Sequence, residues 1–180
     1  GVGTKVLPTG ESADNCDFTQ PVIRKRLLDF VESLQILTLT CRACTESAFA
    51  IMDAAAVDRW KNRLAAVKER RQYESVIFES MEVVSQFSPI RAIREIYRQL
   101  IQILMWGYPL RSRHGSREEI KQIYLPHIYY LLESMERSDG TSLAAGLEHL
   151  LLFELQFTVA RLNELDITEA NSLLIPEYEV

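Results

Sequence analysis

The chain has 180 residues, of which 47% are hydrophobic and 25% charged, and its formal net charge is −5. This balance is typical of one globular domain with its own core and excludes an intrinsically disordered chain. Three cysteines, an odd number, do not make a disulfide framework, and no run of apolar residues approaches the roughly 18 that cross a bilayer. We therefore expect a folded domain with reduced thiols and no membrane insertion. Because residue 1 is glycine rather than methionine, we also expect the chain to be cut from a longer protein.

The first 17 residues are rich in Gly, Ser, Asp and Asn, and they predict a flexible tail or linker. Thr19 or Gln20 is expected to cap a first helix that has Pro21 in its first turn and runs to about Met52. Its apolar residues step by fours and threes, which is the period of one helix face. They are Ile23, Leu27, Phe30, Leu34, Leu37, Cys41, Cys44, Ala48 and Ile51.

Capping signals divide the middle of the chain. Asp53 is expected to cap a second helix, and the polar stretch 68–75 is either its exposed continuation or a break. Ser88, followed by a proline, predicts the cap of a further helix that extends over 90–106. Glycine, proline and polar residues from Gly107 onward predict a loop up to residue 115.

The last part of the chain predicts two more helices. Ser116, with a glutamate three residues later, is a capping box that opens the first of them. Pro126 lies inside this helix and is expected to kink it. An Asp-Gly pair at 139–140 is expected to end it. Thr141 or Ser142 is expected to cap the last helix, which runs to about residue 165.

No useful strand-like alternation is present, so the fold class predicted is all-α. We expect five or six antiparallel helices, either as a long-helix bundle or as a segment of an α-solenoid. The domain organisation expected is a tail at 1–17, a single helical domain at 18–165, and an acidic, partly ordered end at 166–180.

The cysteines, histidines and glycines of the chain favour structural roles over catalytic or metal-binding ones. Cys41 and Cys44 form a CxxC on the buried face of the first helix, with no second CxxC and no histidine nearby to complete a zinc site. His114, His127 and His149 share no metal-ligand or catalytic spacing. The seven glycines are scattered singly and form no phosphate loop. We expect no catalytic residues, no small-molecule substrate, no cofactor and no metal.

Charge is distributed unevenly along the chain. Residues 57–121 contain 13 Lys/Arg against 8 Asp/Glu, whereas residues 122–180 contain 2 against 10. The basic run is Arg59, Lys61, Arg63, Lys68, Arg70 and Arg71. This run suggests an alternative function, a helical nucleic-acid-binding or regulatory module, but the acidic end would oppose a polyanion and we expect no nucleic acid as partner. The runs are otherwise explained as solvated helix faces.

Two further hypotheses concern partners and regulation. Phe153, Phe157 and Leu162 of the last helix are candidate partner-binding residues, with core packing as the alternative for each. The segment 105–110 is either a partner anchor or part of the core. Ser116 follows an arginine at position 113 and is a possible phosphorylation site, since a phosphate there would meet the positive end of a helix dipole.

Three segments resemble the C-terminal part of the nucleoporin-107 family, called nucleoporin-84 in fungi. The first is Ile120-Lys-Gln-Ile-Tyr-Leu-Pro-His-Ile-Tyr-Tyr-Leu-Leu-Glu, which is similar to the Leu-Pro helix of that family. The second is Leu39-Thr-Cys-Arg-Ala-Cys-Thr-Glu, followed by the Trp60-Lys pair. The third is Lys68-Glu-Arg-Arg-Gln-Tyr-Glu, followed by Phe78. The resemblance covers roughly 37–140.

The resemblance implies a non-enzymatic role. It implies a helical domain in the Y-shaped scaffold complex of the nuclear pore, at the nuclear envelope, that supports pore assembly and nucleocytoplasmic transport of protein and mRNA. The expected partner is the C-terminal helical domain of another scaffold nucleoporin, the nucleoporin-133 relative.

Overall fold

A computed structural model describes residues 17–70, 72–107 and 116–175. Six α-helices are found there: α1 (Pro21–Phe49), α2 (Ala54–Arg70), α3 (Val76–Phe87), α4 (Arg91–Leu104), α5 (Arg117–Glu136) and α6 (Gly140–Glu164). Three short 3₁₀ helices cover Tyr73–Ser75, Met105–Gly107 and Thr168–Leu173. The helices pack antiparallel and no strand occurs among the described residues, so the all-α prediction is confirmed. The tail expected at 1–17 lies outside the described residues, apart from position 17.

Helix α1 is at the centre of the molecule. It packs most extensively against α6, and it also contacts α3, α4 and the 3₁₀ helix at 168–173. Most of its predicted face is buried, as shown by Leu27, Phe30, Leu34, Leu37 and Cys41. The prediction is wrong at the C-terminal end, because α1 ends at Phe49 and Ile51 is 59% exposed. In a solenoid each repeat contacts only its neighbours in sequence, whereas here the first and last α-helices are packed together. The arrangement is therefore that of a bundle.

Helix α6 is long and apolar enough to cross a bilayer by length and composition alone. Its most apolar window has a mean hydropathy of 1.3, and 56% of that window is buried inside the protein. The same properties are expected of a core helix that packs against two neighbours, which α6 does with α1 and α5. Its apolar character is thus explained by the packing of the bundle.

The start of α1 is confirmed at Gln20, one of its two expected caps, although the Gln20 side chain makes no cap hydrogen bond. Two of the other predicted helix starts are confirmed by side-chain caps. Asp53 Oδ1 accepts a hydrogen bond from the backbone N–H of Ala56 at 2.7 Å, at the start of α2. At the start of α5, Ser116 Oγ accepts from the Glu119 N–H at 3.3 Å, and the Glu119 carboxylate accepts from the Ser116 N–H at 2.6 Å. Each cap satisfies backbone donors that a helix cannot pair internally.

The prediction that Ser88 caps α4 is wrong. The N-cap of α4 is Ile90, and Ser88 has an extended backbone (φ −59°, ψ 130°) directly after α3. A residue that precedes proline is disfavoured in the helical region, so Ser88 ends α3 instead of starting α4. Arg94 Nη1 donates to the Ser88 carbonyl at 2.7 Å and ties this corner to α4.

The prediction that Thr141 or Ser142 caps α6 is also wrong, because Asp139 is the cap. Its carboxylate accepts from the Ser142 N–H at 2.9 Å and from Ser142 Oγ at 2.6 Å. The chain turns at Ser138, whose φ of 54° lies in the left-handed region. The last turn of α5 therefore ends at 136, and Asp139 begins the next helix instead of ending the previous one.

Of the two alternatives for 68–75, the chain adopts the break, since α2 ends at Arg70 and a 3₁₀ turn buries Tyr73. The end segment is packed on the core over its described part, where Ile167 and Ala170 are fully buried. The Gln35 side chain holds this segment to α1. Its amide nitrogen donates to the carbonyl of residue 173 at 3.0 Å, and its oxygen accepts from the N–H of residue 175 at 2.8 Å.

The Asp139 cap gives a pH-dependent contribution to stability. Hydrogen bonds from Ser142 lower the pKa of Asp139 below its usual 3.8, so the stabilisation is present above that pH and is lost as the pH falls through the lower folded value. Asp139→Asn keeps a capping oxygen but does not titrate. In circular-dichroism melts at pH 7 we expect the wild type to have a higher melting temperature than Asp139→Asn. This difference in melting temperature should disappear below about pH 3.8. A difference that does not change with pH would contradict this account of the cap.

Candidate functional site

Aromatic side chains of α6 form a row along one side of that helix. His149, Phe153, Phe157 and Arg161 follow one another at four-residue spacing, which places them on neighbouring turns of the same face. The two phenylalanines are those predicted to bind a partner. Both are half-buried and therefore within reach of another molecule.

The Phe153 ring is at the centre of this row. Its centroid lies 6.3 Å from that of Tyr124 in a T-shaped arrangement, 6.4 Å from His127 and 6.0 Å from Phe157. These separations are in the range in which aromatic pairs attract one another. The Arg161 guanidinium lies over the Phe157 ring at 5.3 Å, a cation–π contact that closes the row at one end.

Leu162, the third predicted partner residue, has a different position. Its side chain is fully buried, with 0% exposure, in the hydrophobic core. It is one turn beyond Thr158 and Val159, which are also buried, so it belongs to the core face of α6. Leu162 therefore holds the bundle together and is left out of the candidate surface.

Two shallow grooves lie on either side of Pro126 on α5. One has a volume of about 460 Å³ and is lined by Glu118, Lys121, Gln122, Leu125, Pro126 and Tyr129. The other has a volume of about 410 Å³ and is lined by Pro126, His127, Tyr130, Ala145, Gly146 and His149. Both are lined mainly by apolar atoms. The proline lines both grooves, and its missing N–H leaves the Gln122 carbonyl without its usual helical partner.

We refer to Leu125, Pro126, His127, Tyr129, Tyr130, His149, Phe153 and Phe157 together as the α5–α6 surface. Its two tyrosines are exposed, at 52% for Tyr129 and 43% for Tyr130. Charged side chains surround it: the Lys68 ammonium lies 5.3 Å from the Tyr129 ring centroid, and Lys121 pairs with Glu118 at 2.9 Å. An apolar, aromatic centre with a charged rim is the usual composition of a protein interface.

The α5–α6 surface has a rigid support. Beneath it the Tyr124 hydroxyl donates to the Glu154 carboxylate, and both side chains are buried. Nearby, a Cβ added to Gly146 would be 2.7 Å from the Tyr130 ring, so the absence of a side chain lets this ring lie directly on α6. These contacts fix α5 and α6 relative to each other.

The CxxC cysteines are in a packed environment. Cys41 is fully buried and Cys44 half-buried, and both are free thiols. Burial raises the pKa of the Cys41 thiol to about 12, which keeps it protonated at neutral pH. Next to them the Thr40 and Tyr97 hydroxyls are hydrogen-bonded at 2.8 Å across α1 and α4. No cluster of three or more metal-ligating side chains occurs in the part of the chain that the structure describes.

His127 and His149, which share no motif in sequence, are brought together by the packing of α5 on α6. Their ring centroids are 5.4 Å apart, and the ring planes are tilted by 46°. Burial, reinforced by the neighbouring His149, lowers the pKa of His127 below its usual value of 6.5. His114 lies outside the described residues.

The basic run on α2 is partly neutralised. Arg63 pairs with both Glu79 and Glu82 of α3, and Lys61 lies 3.7 Å from Asp58. Arg59 and Arg70 line a groove of about 500 Å³ together with Glu79. Arg71 lies outside the described residues. The run therefore presents mixed charges rather than a continuous basic face, and the nucleic-acid alternative stays a prediction.

The regulatory role of Ser116 and the partner-anchor role of the segment 105–110 stay predictions. Ser116 is exposed and already serves as the N-cap of α5, with Glu118 and Glu119 in the first turn. A phosphate there would gain from the helix dipole and be repelled by these carboxylates. In the segment 105–110, Met105 is exposed and Gly107 is buried, while 108–110 lie outside the described residues.

Comparison of the chain with protein families, with curated proteins and with solved structures found no match.

We predict different reactivities for the two CxxC cysteines. Native protein treated with iodoacetamide should be alkylated at Cys44 well before Cys41, because Cys41 is both inaccessible and protonated. Peptide mass spectrometry over a time course measures both rates, and the unfolded protein in urea is the control in which they should converge. Equal rates in the native protein would show that α1 opens readily and would contradict the burial of Cys41 in the core.

Proposed function

We propose that this chain is a non-enzymatic scaffold domain that binds a helical partner protein through the α5–α6 surface. The observation that carries the proposal is the pair of apolar grooves on either side of Pro126, next to exposed aromatic rings. Partner binding energy is usually concentrated in such aromatic anchors, which sit in grooves and are surrounded by a polar rim.

The shape of the surface favours a helix as the bound element. Two apolar grooves that share Pro126 in their lining can accept apolar side chains from a helix laid across them. The surface is carried by two helices whose relative position is fixed by the buried Tyr124–Glu154 hydrogen bond. Little conformational entropy would be lost at this side of the interface, which favours affinity.

We further propose that the partner is the C-terminal helical domain of a nucleoporin-133-like protein, at the nuclear pore of the nuclear envelope. What supports this is the location of the resemblance to the nucleoporin-107 family. Its most distinctive segment, 120–133, lies within α5, and the Leu125-Pro126 pair of that segment lines the first groove. The proposed role is to support pore assembly, and through it the transport of protein and mRNA.

Light scattering on a sizing column, with this chain and the partner domain alone and mixed, tests the proposal. We expect a one-to-one complex. Tyr129→Ala and Phe153→Ala should each weaken it by about tenfold or more, as loss of a central aromatic anchor does. Ile96→Ala is the matched control, since Ile96 is 46% exposed on α4, and it should bind as wild type does.

Two results would contradict the proposal. The absence of a complex at high micromolar concentrations would exclude the nucleoporin-133-like domain as the partner. Binding that is weakened by Ile96→Ala and unaffected by the two aromatic variants would place the interface elsewhere on the bundle. Circular dichroism of each variant establishes that the helical content is unchanged.

A further inference from the structure

The two histidines of the α5–α6 surface are neighbours that line the same groove. His127 comes from α5 and His149 from α6, and both line the groove of about 410 Å³ on one side of Pro126. Their ring centroids are 5.4 Å apart. Two imidazoles that border the same open space at this separation are placed to share a ligand.

The separation fits a shared metal ion. Zn²⁺ binds imidazole nitrogen at about 2.0–2.1 Å, and the ring centre lies about 1.1 Å behind that nitrogen, so two rings on a tetrahedral ion have centres about 5 Å apart. The observed 5.4 Å is close to this value. A tilt of 46° between the ring planes also differs from a stacked pair, in which the rings would be parallel.

The other lining residues narrow the class of ion. They are Pro126, Tyr130, Ala145 and Gly146, which bring neither a carboxylate nor a cationic side chain to the groove. Ca²⁺ and Mg²⁺ require several oxygen ligands and are disfavoured in such a groove. Imidazole ligands favour Zn²⁺, Cu²⁺ and Ni²⁺, and there is no neighbouring positive charge in the lining to repel the ion.

We propose that His127 and His149 form a two-histidine site for a late first-row divalent cation, with Zn²⁺ as the representative ion. Water occupies the remaining coordination positions, which leaves the ion open to a further ligand at the protein surface. With two protein ligands the site is weaker than a four-ligand structural zinc site. Its function is to bridge α5 and α6 at the α5–α6 surface.

Isothermal titration of Zn²⁺ into the full chain tests the site, with His127→Gln, His149→Gln and the double variant compared with wild type. His114→Gln is the matched control, because it removes the third histidine of the chain. We expect one Zn²⁺ per chain for wild type and the control. Each single variant should bind at least tenfold more weakly, and the double variant should show no binding to the site. Bound Zn²⁺ should also raise the melting temperature of wild type and not that of the double variant.

The proposal is overturned if wild type shows no saturable binding up to about 1 mM Zn²⁺. It is also overturned if the double variant binds as wild type does, since the ion would then be held by thiols or by other groups. Equal losses in all three single variants would likewise exclude a specific pair. The experiment uses no partner protein, so its outcome is independent of the partner-binding test.

Discussion

The packing of α1 against α6 is the interaction on which the rest of this structure depends. These are the two longest helices described, and they pack extensively against each other. Both contribute fully buried leucines to the core, among them Leu34 and Leu37 of α1 and Leu151 and Leu155 of α6. Burying such apolar side chains provides the main favourable free energy of folding. Since the two helices are far apart in sequence, their contact closes the chain on itself and makes a bundle with one core.

The position of α5 follows from that of α6, and the candidate surface follows from both. One face of α6 packs against α1, and a second face packs against α5. The row of His149, Phe153 and Phe157 lies at the edge of the contact between α5 and α6. The buried Tyr124–Glu154 hydrogen bond ties the two helices together below this row. The surface is therefore rigid because it lies on the same helix that organises the core, and a binding site on such a support loses little entropy when it is occupied.

The sequence predicts the helices and several of their caps from local patterns, but it does not predict contacts between helices that are distant in the chain. The four-three spacing identified α1 and its buried face, and the capping signals at Asp53 and Ser116 were correct because an N-cap acts within three residues. The caps at Ser88 and at 141–142 were wrong because backbone dihedral angles next to Pro89 and at Ser138 decided them. The four-residue spacing of His149, Phe153 and Phe157 is present in the sequence. It would have shown that Leu162 lies on a different face of α6 from the two phenylalanines. His127 and His149 become neighbours only when α5 packs on α6. No local sequence pattern predicts this contact.

Hydrogen–deuterium exchange on the full chain, alone and mixed with the proposed nucleoporin partner domain, tests the partner-binding account most directly. The account predicts slowed exchange on complex formation in peptides that cover 121–130 of α5 and 149–157 of α6, with α2, α3 and α4 unchanged. Protection that is confined to α2–α4, or no change anywhere under conditions that saturate a complex, would contradict the claim that the α5–α6 surface is where this domain meets its partner.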